Sequence, residues 1–113
     1  MNAVIYPENM SKKETYDLTR NPAIKRMSDA VGKTITVSAL YMREEVMADG
    51  KIKEVVSIKN ENGEVYSTNS KVFISSLQKI INIGFPRKLE IISGTSRNGR
   101  TYIDVAAIEF KEE

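Results

Sequence analysis

The chain has 113 residues with a formal net charge of +2, 41% of them apolar and 28% charged, and contains neither cysteine nor histidine. That length builds one hydrophobic core, and no apolar run approaches the roughly 18 residues of a membrane span. The missing side chains exclude disulfides, the usual zinc ligand sets, and Ser-His or Cys-His nucleophile pairs. Asp and Glu are scattered, and the adjacent Glu44-Glu45 would point to opposite faces of a strand. The composition therefore argues against an enzyme and assigns no metal or cofactor. The N-terminus lacks a hydrophobic core and a cleavage site, which with the absent cysteine suggests a cytoplasmic setting.

Residues 1–18 show no clear period. Val4, Ile5 and Tyr6 offer a short edge strand that Pro7 ends, and the polar stretch after it reads as a flexible or loosely packed arm. A domain is expected over 19–110, followed by a short charged tail at 111–113. It opens with a predicted helix over 21–31: Asn21 as N-cap, Pro22 at the first helical position, Gly32 after the end. Ile24, Met27 and Val31 share one face of that helix, which reads as a lid on the core, with a DNA-reading helix as the alternative.

From Lys33 to Met47 the pattern predicts one long strand, with Ile35, Val37 and Ala39 alternating against Thr34, Thr36 and Ser38. A bulge near Ala39-Leu40 would bring Leu40 and Met42 to the inner face and turn Tyr41 and Arg43 outward. Asp49-Gly50 and Asn62-Gly63 are hairpin turns. Between them lies a strand, Ile52 to Lys59, with Val56 and Ile58 inward and Lys53, Ser57 and Lys59 exposed. A short third strand follows over Val65 to Thr68. Then the period changes: Ser70 or Asn69 caps a helix whose Phe73, Leu77, Ile80 and Ile81 share a face, closed by Gly84 and Pro86.

The last stretch, RKLEIISGTSRNGRTYIDVAAIEF, reads as a hairpin turning at Asn98-Gly99, with positive φ expected at both residues. Its tip carries Arg97 and Arg100, with Tyr102 close behind. A basic tip beside an aromatic suits a nucleic-acid-binding hairpin; a merely solvated turn is the bland alternative.

Strand, strand, strand, helix, strand, strand is the order of the OB-fold, a five-stranded barrel, here preceded by a short N-terminal helix. Residues 33–110, with the bulged first strand and GTSRNGRTYIDV in the last hairpin, resemble OB-fold single-stranded DNA-binding proteins of the small bacteriophage and mobile-element type. The chain departs from the common bacterial form in having no tryptophan, no Gly/Pro/Gln-rich linker and no acidic apolar-ended tip. The resemblance implies sequence-independent binding and protection of single-stranded DNA during replication or recombination. Tyr41, Tyr66 and Tyr102 would stack on bases, and Arg43, Lys53, Lys59, Arg97 and Arg100 would follow the phosphates. Lys51, Arg87 and Lys88 rank second. Partners from this reading are single-stranded DNA, with RNA as competitor, a homo-oligomer through free strand edges, and replication or recombination proteins, but no membrane. The alternative from another class is a protein-interaction module, such as a phage-encoded inhibitor or replication accessory factor.

Overall fold

Between Thr34 and Val46 the chain crosses from one sheet to another, and that step sets the architecture seen in the computed structural model, which describes residues 3–112. Strand β1 (Val4–Tyr6) and helix α1 (Lys12–Thr19) come first, then the two-residue strand β2 (Lys25–Arg26) and a 3-10 turn, Met27–Ala30. Strands β3 (Thr34–Thr36), β4 (Ala39–Val46), β5 (Ile52–Lys59) and β6 (Val65–Thr68) lead to helix α2 (Lys71–Ile83). The hairpin of β7 (Pro86–Thr95) and β8 (Thr101–Phe110) closes the described chain. One sheet has the order β1-β4-β5-β6-β2 and the other β3-β7-β8.

The single strand expected over 33–47 is interrupted at Val37-Ser38. The Val37 N–H donates to the Arg87 carbonyl at 2.9 Å, within the three-stranded sheet. The next N–H, that of Ser38, donates to Lys59 at 2.8 Å in the five-stranded sheet. Beyond this step Leu40 and Met42 are both fully buried.

The expected closed barrel does not form. Two sheets stand in its place, one mixed and five-stranded, one antiparallel and three-stranded. The far edge of β6 is occupied by β2, which runs parallel to it with Lys25 opposite Tyr66 and Arg26 opposite Ser67. Helix α2 packs against β8 of one sheet and β5 of the other, and among the described residues no pairing of β8 with β6 closes a barrel.

Pairing with β6 also explains the missing helix over 21–31. The Asn21 side-chain oxygen accepts from the Ala23 N–H at 2.9 Å, which closes a local turn instead of capping a helix. The backbone of Lys25-Arg26 satisfies the β6 edge, and only Met27–Ala30 coils, with Met27 and Ala30 buried. Helix propensity is a weak prior that such tertiary pairing overrides.

Within the expected arm, Ser11 caps α1 by accepting from the Glu14 N–H, and Leu18 is fully buried. Ser11-Lys12-Lys13-Glu14 has the S-x-x-E spacing of a capping box, a local helix-start signal the sequence reading passed over.

All three hairpins use one turn. In each, only the glycine has positive φ: 82° at Gly50, 87° at Gly63 and 78° at Gly99. Asn98 therefore does not share the left-handed conformation expected of it. This is a three-residue loop whose last member takes the left-handed position, closed for example by Ser96 N–H to Arg100 O at 2.8 Å.

The core lies between the sheets, where Leu40, Met42, Val56, Ile58 and Tyr66 meet Ile35, Leu89, Ile91 and Val105. Phe73, Ile74 and Leu77 of α2 complete it, with Ser70 accepting from the Phe73 N–H as N-cap. A smaller cluster of Leu18, Ala39 and Val65 sits under α1, on the outer face of the five-stranded sheet. Among the described residues, no helix is long and apolar enough to cross a membrane.

Candidate nucleic-acid interface

The residues predicted from sequence fall into three environments. Tyr66 faces inward and is only 2% exposed, against the expectation that it points out. A strand residue turned into the core has no free ring face for a base, although the Lys25 ammonium lies 5.8 Å from its centroid.

Tyr41, Arg43 and Lys59 lie on the outer face of the five-stranded sheet, and α1 covers that face. Tyr41 packs against the Leu18 cluster, with the Arg43 guanidinium 5.1 Å from its ring centroid. Arg43 is buried, and its Nε donates to Glu45 Oε2 at 2.5 Å. Its Nη1 donates to the Tyr41 carbonyl and to Ser57 Oγ, both at 3.1 Å. Ser57, expected exposed, is fully buried, and its hydroxyl is satisfied by accepting from Arg43 and donating to Ser67. Glu45 also accepts from Arg20 at 2.9 Å. Burial alone would raise the Glu45 carboxyl, but the hydrogen bonds from Arg20 and Arg43 outweigh it and hold the group below its usual 4.5. Lys59 donates to both Glu14 oxygens, at 2.9 and 3.2 Å. The cations of this face are neutralised by the protein's own carboxylates.

Lys53, Arg97, Arg100 and Tyr102 form the third group, at two hairpin ends. Lys53 is exposed on β5, opposite Glu45 in register. Arg97 and Arg100 are exposed at the β7–β8 tip, and among the described residues neither side chain has a hydrogen bond or an ion pair. Gly94 lies opposite Tyr102, and a Cβ added there would sit 2.5 Å from Tyr102 Cζ. Only glycine therefore lets the ring rest on the β7 backbone. The ring is 36% exposed, a platform fixed from below and open above. The second-rank cations Arg87 and Lys88 both face Glu109, at 3.8 and 3.7 Å.

Next to this platform the space between the sheets is open as a groove of about 460 Å³. Arg26, Met27 and Ser28 form one bank, Ser67 to Ser70 the floor leading into α2, and Thr101, Tyr102 and Ile103 the other bank. The hydroxyl and amide groups of Ser28, Ser67, Thr68, Asn69 and Ser70 are neutral donors and acceptors. Arg26, at the groove's edge, has only a loose 3.6 Å pairing with Asp29. The sequence reading missed Arg26 and the Ser67–Ser70 run, because nothing local distinguishes a groove lining from an ordinary loop. No group of three or more acidic side chains able to hold a metal ion occurs among the described residues.

Compared with known protein families, curated proteins and solved structures, the chain matches none of them.

Proposed function

We propose that this protein binds single-stranded DNA without sequence preference, in the groove between the two sheets, and protects it during replication or recombination. The observation that carries this reading is the conjunction at the β7–β8 end: a tyrosine ring fixed on Gly94 with its other face open, two unpaired arginines, and an open groove beside them. Tyr102 stacks on a base, which is worth about 1–3 kcal/mol and suits any base. Arg97 and Arg100 contact phosphates at the groove, and the exposed Lys53, at the other hairpin, reaches only those of a strand long enough to leave the groove. The neutral groups of Ser67, Thr68 and Asn69 hydrogen-bond to sugar and phosphate oxygens without selecting a base.

The test is fluorescence anisotropy of labelled oligo-dT at low and high salt, with duplex DNA and oligo-rU as competitors. Tight binding of oligo-dT, weakened by salt and poorly competed by duplex, supports the reading. Equal competition by duplex leaves a basic surface without stacking, and competition by oligo-rU reassigns the ligand to single strands of either sugar. Absence of binding at low salt overturns the proposal.

A protein-binding reading rests on a different observation. Val46 and Ile52, cross-strand partners at the β4–β5 tip, are 71% and 65% exposed. Such an apolar pair suits a protein contact, and binding of oligo-dT that survives Val46→Ser/Ile52→Ser separates the two readings.

A further inference from the structure

Two bays of nearly equal size flank the five-stranded sheet, and their lysines are in opposite states. The first, about 420 Å³, lies beside α1 and is lined by Lys13, Lys25 and Lys59. Each of these is already paired, with Asp17, Glu64 and Glu14 respectively. The second, about 410 Å³, lies between the start of β5 and the head of α2. Lys51, Lys53 and Lys71 line it together with the exposed Ile52 and the buried Ile74. Among the described residues none of these three side chains has an ion pair or a hydrogen bond, and Glu54 is the only carboxylate lining the bay.

Three ammonium groups share this concavity with a single carboxylate, Glu54, so the bay carries a net positive charge. The first turn of α2 carries no acidic residue and begins with Lys71, the reverse of the usual charge preference at a helix start. Lys13, Lys25 and Lys59 of the first bay each face a carboxylate of their own, whereas one carboxylate faces three lysines here, which leaves positive charge for an outside anion.

Position adds a second argument. Asn69 lines both this bay and the groove between the sheets, so the two concavities are neighbours at that residue. A chain crossing the groove past Tyr102 leaves it over Asn69 into the lysines.

Resting on the single-strand reading above, we infer that the Lys51-Lys53-Lys71 bay holds consecutive phosphates of the same strand beyond the groove, extending the footprint to the β4–β5 hairpin. The β7–β8 end then supplies stacking and the lysine bay supplies charge.

The experiment measures binding of oligo-dT of increasing length to the wild type and to K51Q/K53Q/K71Q, with thermal melts confirming that the variant folds. These lysines are exposed, so stability should not change. The expected result is length-dependent. Short oligomers that fill only the groove bind both proteins alike, whereas for long ones the variant is about tenfold or more weaker and its salt slope is shallower by about 2, since each single-strand phosphate contact contributes about 0.7. Equal affinity and equal slope at every length, with the wild type binding normally, would overturn the bay while leaving the groove intact. Equal weakening at every length also overturns it, because that is a general field effect. If the wild type binds no oligomer, the single-strand reading itself has failed, and the strand path with it.

Discussion

On the α1 side of the molecule Arg20 and Arg43 end on Glu45, Lys59 ends on Glu14, and Tyr41 is packed beneath a helix. At the β7–β8 end Arg97 and Arg100 end in solvent, and Tyr102 lies open on a glycine. The residue types are the same, an aromatic with neighbouring cations on a strand, but the consequences differ. A cation already facing a carboxylate has exchanged water for that partner, and a ligand phosphate would have to displace it. A cation in solvent releases its counterions to a phosphate at no such cost. The first region serves stability and the second is free to bind.

The largest effects that test this contrast should be losses of stability on the α1 side. Leu18→Ala removes the buried anchor of α1 and should cost about 3 kcal/mol in urea denaturation. Arg43→Ala leaves the buried Ser57 hydroxyl without its donor and should cost about 2 kcal/mol, near the lower end for such sites because Arg20 still holds Glu45. Both variants, at temperatures where they remain folded, should bind oligo-dT like the wild type. A tenfold loss of affinity in Arg43→Ala would erase the distinction between the two regions.

Next come the binding effects at the open end. Tyr102→Ala should lose about 1–3 kcal/mol of affinity with little change in melting temperature. Gly94→Ala sharpens the point, because its Cβ would sit 2.5 Å from the Tyr102 ring and push it off its seat. It should reproduce most of the Tyr102→Ala loss, and the double variant should be barely worse than either single, the signature of two residues acting as one unit. Additive losses would show that the seating of the ring does not matter. Smaller again is Arg97→Gln/Arg100→Gln, expected to reduce the salt slope by about 1.4 for two phosphate contacts, whatever the oligomer sequence.

The smallest effect is a pH dependence confined to the α1 side. Glu45 has a folded value lowered below its ordinary 4.5, so it binds fewer protons folded than unfolded. Its contribution is fully present above that ordinary value and is lost as pH falls through the lowered one. Glu45→Gln should flatten the acid limb of stability against pH, measured by denaturant melts, while oligo-dT affinity at neutral pH is unchanged.

Some of this was legible in the chain because it depends on neighbouring residues. Asp49-Gly50, Asn62-Gly63 and Asn98-Gly99 each mark a hairpin because a left-handed position is needed within a few residues, and glycine fills it. Ser70 and the apolar spacing from Phe73 place α2. Arg97 and Arg100 could be read as exposed because a tight turn leaves its tip in solvent. The same reasoning misled at Asn21-Pro22, where a sound helix start signal was overridden by the unpaired edge of β6. It also misled at Tyr66, where one step of register decides between the core and the surface.

Neighbouring residues suffice to specify the turns, α2 and the long final hairpin, and the absence of cysteine and histidine removes their chemistries. Whether the sheet closes and which charges are left without a partner follow from packing. Both depend on meetings between distant residues, such as Lys59 with Glu14, 45 positions apart, and β2 with β6. A residue's own neighbourhood in the chain specifies how its backbone turns, but its solvation and its ion partner are set by whatever the rest of the chain packs against it.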